Sequence, residues 1–340
     1  MKKIGGEFEI NPIVFNEMNL EDHHLPFLYS NGRIALLAIL NHLKSAHSSR
    51  IIHLPFYICS SVVDACRSAG FNLKFYELTE NFEFPMEYLD FIGSNEVLLT
   101  VCYFGIINDN VIITEVKKRR NDVICISDQV MSYWTFKNSV GDYSFTSLRK
   151  HFAIPEGALV NTTISIDDLY KETSINSFYK DKYIAAFLKF AEADESTYLE
   201  LFSQGENLID QETKEILQAS KLSRYLYLNT EFEEIQSKRK VNANFVYEYG
   251  KSLGFEFVFP KISKDSTPQH IPIWVSDGIN LRKKLFEEKI YLPIHWPGDS
   301  FNETSSISKK MQTQSISLII DQRYDLQDLE RMLNAVKRHE

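Results

Sequence analysis

Cysteine is scarce in this sequence. The 340 residues include four, and each lies in or beside an apolar segment: Cys59, Cys66, Cys102 and Cys125. They show neither the paired spacing of a zinc site nor the density of a disulfide-stapled secreted domain. We therefore expect buried, reduced thiols and no metal site.

Long hydrophobic runs and an excess of positive charge are also missing. No apolar stretch reaches the roughly 18 residues that a membrane-spanning helix needs. Glu7 follows Lys2 and Lys3 before any apolar stretch forms, which argues against a signal peptide. The formal net charge of −9 argues against nucleic acid or an anionic membrane as a partner. These absences favour a cytoplasmic location.

The composition that remains is that of a globular enzyme, with 44% hydrophobic and 24% charged residues. Its length predicts one large domain and one smaller domain. We place the large domain, which includes the N-terminal segment, at residues 1–235 and the small C-terminal domain at residues 236–340. Between residues 31 and 160, short apolar runs alternate with helical patterns, which predicts an α/β fold with a mostly parallel central sheet. Residues 165–250 are expected to be mostly helical, before a smaller α/β unit that ends in an amphipathic helix.

The apolar runs of the first half predict six strands and two helices. The last two strands are close in sequence, which indicates a pair joined by the loop that carries Lys150. The predicted strands span residues 51–55, 73–78, 97–101, 123–127, 143–147 and 158–162, and the helices cover residues 34–43 and 60–69.

Four segments with polar or reactive side chains follow predicted strand ends. They are Pro55 to Cys59, Cys102 to Gly105, Asp128, and Ser147 to Lys150. Ligands of open α/β sheets bind outside the carboxyl ends of the strands, so these segments are expected to meet at one site.

The segment Asn31-Gly32-Arg33 begins the first predicted helix. Free backbone amides and the positive end of the helix dipole favour a phosphate there, and Arg33 could add charge. A simple helix cap is the alternative interpretation.

Asp128 and Lys150 are the candidate reactive groups. A carboxylate after an apolar strand needs a cationic partner, which a protonated pyridine nitrogen would supply, although a helix-capping role is the alternative. A lysine becomes a nucleophile toward a carbonyl when its surroundings lower its pKa, although most lysines are surface residues. Ser147 could be a turn residue or a phosphate donor.

A phosphate cradle, an acid for a ring nitrogen and a lysine are the parts that pyridoxal 5'-phosphate requires. The sequence resembles the DegT/DnrJ/EryC1/StrS family of pyridoxal-phosphate-dependent sugar aminotransferases, and more narrowly its members from polysaccharide clusters. The most specific motif is Ser-x-Arg-Lys-x-Phe-x-x-Pro-Glu-Gly over residues 147–157. Supporting segments lie at residues 4–9, 31–36, 54–59, 103–106, 291–297 and 321–324.

The resemblance implies fold type I and a role for each site residue. Lys150 would bond covalently to the cofactor and carry protons, and Asp128 would pair with its ring nitrogen. Gly32 and Arg33, together with Ser147, would hold its phosphate. The resemblance also implies a homodimer that transfers an amino group, from an amino acid such as glutamate, to a keto group on a nucleotide-linked sugar.

Departures from the family pattern occur at cofactor-facing positions. Met131 replaces a histidine or glutamine, and Asn31 replaces a serine. Cys59 replaces a residue that is often aromatic and would stack on the ring, which leaves Phe56 or Tyr57 as substitutes. These departures motivate an alternative, a non-catalytic relative that binds a sugar nucleotide or serves in assembly.

Sugar dehydration is disfavoured, because the relatives that perform it have histidine where this chain has Lys150. His295 and Arg323 lie in the C-terminal motifs and are interpreted as structural residues.

Overall fold

The computed structural model describes residues 2–10, 26–163, 173–212, 214–263, 266–296 and 305–340. The strands in these ranges are β1 Ile4–Gly5, β2 Ile51–Pro55, β3 Asn72–Tyr76, β4 Val97–Val101, β5 Ile124–Asp128, β6 Tyr143–Ser147, β7 Ala158–Thr162, β8 Glu256–Phe257, β9 His270–Trp274, β10 Ile290–Tyr291 and β11 Ser315–Ile319. The α-helices are α1 Gly32–Ala46, α2 Ser60–Ser68, α3 Asn110–Arg119, α4 Tyr133–Phe136, α5 Tyr179–Phe190, α6 Glu195–Gln211, α7 Lys221–Leu228, α8 Phe232–Ser252, α9 Gly278–Glu287, α10 Ser306–Thr313 and α11 Leu326–His339.

The central sheet has six strands in the order β3-β2-β4-β5-β6-β7. Every neighbouring pair is parallel except β6 and β7, which are antiparallel. Strands β4, β5 and β6 are buried along their whole length, as is typical of a parallel sheet that is covered on both faces. The predicted α/β fold with a mostly parallel sheet is confirmed, and so are the six predicted strands, with bounds shifted by one or two residues in β3 and β5.

The register of the sheet places the candidate residues at its carboxyl edge. Asp128 ends β5, where it lies opposite Val101 of β4 and Phe145 of β6. Ser147 ends β6, and a short 3-10 turn over Leu148–Lys150 follows directly. The loop returns to β7 through residue 157, whose carbonyl accepts the amide of residue 148 at 2.9 Å.

A second, antiparallel sheet has the order β11-β9-β8 and packs with α8, α9 and α11 around its own apolar core. Strand β1 pairs with β10, and the Ile4 side chain is buried in this core. The N-terminal segment therefore joins the C-terminal part of the chain. The predicted domain boundary after residue 235 falls in the first turn of α8 and stays a prediction.

The closing helix that the sequence predicted is α11. It begins with a capping box, in which the side chains of Asp325 and Asp328 each accept a backbone amide at the other residue. No helix in the described part of the chain is both long enough and apolar enough to span a bilayer.

Candidate active site

Asp128 is a buried carboxylate, with 6% of its surface exposed. Its Oδ1 accepts the amide of Val130 at 2.9 Å. Burial raises the pKa of Asp128 to about 7, and the charge of the buried Asp109 also raises it. No lysine or arginine of the described residues pairs with it. The carboxyl group therefore lacks the cationic partner that would stabilise its charged form.

The start of α1 lies against the ends of β5 and β6. The side chain of Asn31 caps the helix by accepting the amide of Ile34 at 3.1 Å. A Cβ atom on Gly32 would lie 3.3 Å from Cγ2 of Val130 and 3.6 Å from Cβ of Ser147. The glycine thus lets the helix start approach the loop that carries Ser147, and the first helical amides lie there as anion donors.

Ser147 and Arg33 were also predicted to hold a phosphate. Ser147 is buried, and within the described ranges its hydroxyl makes no hydrogen bond. The Arg33 guanidinium donates instead to the carbonyl of Ile209 at 3.1 Å and to Asp210 at 2.8 Å, both at the C-terminal end of α6. The structure brings Gly32 and Ser147 together, whereas the Arg33 side chain binds the end of α6. The phosphate-binding role of all three residues stays a prediction.

Lys150 is exposed at the end of the 3-10 turn, and charged groups surround it. The positive charge of Arg149 lowers the pKa of Lys150, burial of the surrounding region lowers it further, and Glu206, Glu7 and Cys59 act in the opposite direction. A lysine with a lowered pKa has more neutral amine at physiological pH, which is the form that attacks a carbonyl.

The charged groups beside Lys150 form a chain of ion pairs. Arg149 donates two hydrogen bonds to Glu206, and Glu206 also accepts from Lys182. Lys182 is almost completely buried and reaches Glu7 of the N-terminal segment at 3.1 Å. Burial would raise the pKa of Glu206, but Arg149 and Lys182 outweigh it and hold that pKa well below its ordinary value. Glu206 therefore stays ionised between two cations.

Three histidines lie close enough to Lys150 for its charge to affect them. Burial lowers the pKa of His151 to about 3 and that of His295 to about 3, and the positive charge of Lys150 adds to both effects. Burial also lowers the pKa of His270. The rings of His270 and His295 are 5.3 Å apart, and Nδ1 of His295 lies 3.0 Å from the Ser317 hydroxyl. All three imidazoles are therefore neutral at physiological pH.

Met131 is buried at the same edge, where its sulfur accepts the amide of Phe104 at 3.4 Å. Cys59 precedes α2, and its sulfur lies 3.1 Å from the Ser61 hydroxyl. Each is a weakly polar group at a position where the family pattern has a stronger donor or a ring. Their cofactor-binding roles stay predictions.

The aromatic rings beside Cys59 are already packed. Phe56 stacks on Phe75, with ring centroids 5.3 Å apart. Tyr57 is 1% exposed and packs against Tyr103 and Trp296 at 5.5 and 4.7 Å. Its backbone carbonyl accepts the Tyr103 hydroxyl at 2.6 Å. Both predicted substitutes for a stacking ring are therefore held by protein neighbours.

Cys102 lies beneath this edge. Its thiol donates to the buried Asp109 at 3.0 Å, and the Thr100 hydroxyl donates to the same carboxylate at 2.5 Å. Burial raises the pKa of Asp109 and of Cys102. The four cysteines are free and each is buried or half-buried, as expected. The part of the chain that the structure describes contains no group of three acidic, histidine or cysteine side chains placed to bind a metal.

Sequence reasoning did not single out several side chains near Lys150. Glu206 and Lys182 lie on α6 and α5, and no local pattern connects them to residue 150. Arg149 adjoins Lys150 in the motif, and this adjacency was the available signal. A second set that the sequence did not reveal contacts the backbone of Lys150 and His151, which we call the lysine segment. It consists of Arg239, Gln269 and Gln322. Arg323 was interpreted as structural, and it donates two hydrogen bonds to Asp321, at 2.9 and 2.8 Å.

Solved structures that share this architecture include sugar aminotransferases. Spr1654 from Streptococcus pneumoniae, assigned as a sugar aminotransferase and solved in a PLP form, aligns with 98% of this chain and 92% of its own, at 14% identity and a TM-score of 0.66. PseC from Helicobacter pylori, an aminotransferase of pseudoaminic acid biosynthesis, aligns over 92% and 85%, at 13% identity and a TM-score of 0.67. DesV from S. venezuelae aligns over 92% and 84%, at 14% identity and a TM-score of 0.63.

These likenesses define the fold. The described chain also shares the fold of a DegT DnrJ EryC1 StrS aminotransferase from Brucella abortus, which aligns over 92% of this chain and 85% of its own at 14% identity and a TM-score of 0.64. No protein-family profile matches the sequence, and no curated protein matches it significantly. The activity must therefore be argued from the residues of the site.

Proposed function

We propose that this protein is a pyridoxal-phosphate-dependent aminotransferase. It converts a keto group on a nucleotide-linked sugar to an amine, with an amino acid such as glutamate as the donor, in polysaccharide or amino-sugar biosynthesis. The proposed assembly is a homodimer in the cytoplasm, because a two-fold interface is the commonest oligomeric solution and the fold is shared with sugar aminotransferases.

The environment of Asp128 is the observation that carries the proposal. Asp128 is a buried carboxyl without a cation partner among the described residues, and its pKa is raised to about 7. A bound pyridinium would supply the missing positive hydrogen-bond donor and would restore the carboxylate to its charged form. The helix start at Gly32 and the unpaired Ser147 hydroxyl offer amide and hydroxyl donors for a phosphate beside it. The residues present therefore fit the cofactor.

Each residue has a task in this proposal. When bound, the cofactor supplies an electron sink that stabilises negative charge on a substrate carbon. Asp128 would keep the ring nitrogen protonated, and the amides of Gly32 and Arg33 would hold the phosphate together with Ser147. Lys150 would hold the cofactor covalently, and its free neutral amine would move a proton between the substrate carbon and the cofactor's C4' carbon. Arg149 favours that neutral form.

Visible absorbance tests this assignment. Protein purified with pyridoxal phosphate is expected to show the band of a covalent lysine adduct, and borohydride should abolish the band and fix the label on Lys150 in peptide mass spectra. Lys150→Ala should show no such band, whereas Lys118→Ala, which removes an exposed lysine elsewhere in the chain, serves as a control and should keep it. A wild-type protein without the band, or a Lys150→Ala protein that retains it, contradicts the proposal.

A non-catalytic relative is the second candidate, and the contacts at two positions favour it. Met131 accepts a backbone amide instead of offering a donor, and Phe56 is stacked on Phe75. This candidate predicts sugar-nucleotide binding without conversion of bound pyridoxal phosphate to its amine form by any amino acid. A spectral change on mixing with glutamate or another donor would eliminate it.

A further inference from the structure

The backbone carbonyls at residues 150 and 151 end a 3-10 turn, so no helical amide follows to satisfy them. Side chains from other parts of the chain fill this role. Nε2 of Gln269 donates to the Lys150 carbonyl at 3.2 Å, and Nε2 of Gln322 donates to the His151 carbonyl at 2.9 Å. Arg239 adds a third donor, because its Nη2 lies 3.3 Å from the same His151 carbonyl.

Arg239 is buried, with 1% of its surface exposed, and its hydrogen bonds go to neutral acceptors. Nε donates to the Gln322 amide oxygen at 2.9 Å, and Nη1 lies 3.4 Å from the carbonyls of Pro268 and Gln269. Burial lowers the pKa of Arg239 to about 10. Burying a guanidinium without a contacting carboxylate costs free energy. We therefore infer that the fold needs its fixed set of donors to join residue 151, residues 268–269 and residue 322.

Gln269 connects the lysine segment to a second site segment. Its backbone amide donates to the Phe104 carbonyl at 2.7 Å, while its side chain holds the Lys150 carbonyl. Phe104 follows β4, and its own amide donates to Met131. The ends of β4 and β6 are thus joined through one residue of the C-terminal part of the chain, in addition to their hydrogen bonds to β5.

We propose that Arg239, Gln269 and Gln322 are positioning residues that hold the Lys150–His151 backbone and so keep the Lys150 amine beside Arg149 at the sheet edge. They touch the backbone of the lysine segment and not its amine. A fixed position of Lys150 matters for catalysis only if Lys150 reacts, so this part of the inference rests on the proposed function. The geometric claim can be tested separately.

The amine of Lys150 reports its own environment. In full-length protein freed of bound aldehydes with hydroxylamine, trace acetylation of Lys150 is compared by peptide mass spectrometry with that of the exposed Lys118, from pH 6 to pH 10. Gln269→Met and Gln322→Met each remove one donor to the lysine segment at similar side-chain volume. Once the turn loosens, the pKa of the amine should rise to that of an ordinary lysine. Its relative labelling near pH 8 should therefore fall about threefold or more, and the pH of half-maximal labelling should rise.

Gln236→Met is the matched control. This glutamine donates at 2.9 Å to the hydroxyl of Thr267, which lies two residues before Gln269, and within the described chain it makes no hydrogen bond to the lysine segment. It is expected to leave the Lys150 profile unchanged. Melting temperatures identify a variant that has lost its fold, and two variants from different segments keep the test valid if one of them does.

The outcomes separate the two claims. Unchanged Lys150 profiles in folded Gln269→Met or Gln322→Met overturn the positioning role, even if wild type forms the lysine adduct with pyridoxal phosphate. Shifted profiles in a protein whose wild type forms no adduct support the positioning role and overturn the proposed function instead.

Discussion

Arg149 directly precedes Lys150 and is joined to Glu206 of α6 by two hydrogen bonds, with Nη2 and Oε2 separated by 3.3 Å. Lys182 reaches the same carboxylate from α5, and the side chain of Lys182 is 1% exposed. The position of the Arg149 charge is therefore fixed from two helices. Because that charge is the largest influence on the pKa of Lys150, α5 and α6 affect the protonation of a lysine in the turn that follows β6.

Replacement of Arg149 by glutamine should raise the pKa of Lys150. The arginine charge disfavours the protonated amine, so its removal favours protonation and less neutral amine remains near neutral pH. Relative acetylation of Lys150 near pH 7 should fall roughly threefold to tenfold. Arg338→Gln is a matched control, since Arg338 pairs with Glu288 at 2.7 Å and is not among the charges that affect Lys150. A lower pH of half-maximal Lys150 acetylation in Arg149→Gln would refute this account.

Asp128→Asn should have opposite effects on stability and on cofactor binding. The pKa of Asp128 is raised from an unfolded value near 4 to about 7, so folding favours the protonated form. Below about pH 4 the group carries no penalty, and as the pH rises toward 7 the folded state loses stability. Without cofactor, Asp128→Asn should therefore be more stable than wild type near pH 8, by a few kcal/mol at most, and equally stable near pH 4.

Pyridoxal phosphate should shift the comparison in favour of the wild type. An asparagine cannot stabilise a pyridinium as a carboxylate does, so the affinity of Asp128→Asn should fall by about tenfold or more. Thermal denaturation at both pH values, with and without cofactor, checks both signs. Lower stability of the variant near pH 8 without cofactor would contradict the burial argument.

Much of the fold could be predicted from residues 31–162, because buried parallel strands are continuous apolar runs and their ends carry turn residues. Strands β1 and β10 could not, because each has two residues and no periodicity develops over that length. Strand β11 was also missed, since its serines look like solvent-facing residues although Ser315 and Ser317 are 1% exposed.

The candidate site, too, could be predicted only in part from the sequence. Asp128, Ser147 and Lys150 could be placed together because strand ends meet at one sheet edge. Glu206 and Gln322 could not, because the way a helix or loop faces the sheet depends on packing between residues far apart in sequence. The side chain of Arg33 shows the same limit, since the position of α6 decides where its guanidinium binds.

Gly105→Ala should destabilise the protein through backbone contacts at the site. Gly105 has a φ of +67°, and an added Cβ would lie 2.7 Å from the Met131 carbonyl oxygen and 2.9 Å from that of Thr267. Strain and overlap together should lower the free energy of unfolding by roughly 2–4 kcal/mol. Gly254→Ala is the control, because its φ is +83° but nothing lies within 4 Å, and it should cost about 1 kcal/mol. Equal losses in denaturant titrations would show that the contacts at Gly105 relax freely.

Met131→Gln should strengthen cofactor binding if this position faces the ring hydroxyl of pyridoxal phosphate, as the resemblance to the aminotransferase family implies. The glutamine oxygen can accept the Phe104 amide that the sulfur now accepts at 3.4 Å, and its nitrogen adds a donor that methionine lacks. One neutral hydrogen bond is worth about 1 kcal/mol, so the dissociation constant should fall about fivefold in a spectral titration. Met131→Leu keeps a similar volume but leaves the amide unpaired, so it should lose stability and gain no affinity. An unchanged or larger dissociation constant in a folded Met131→Gln protein would place this residue outside the cofactor's reach.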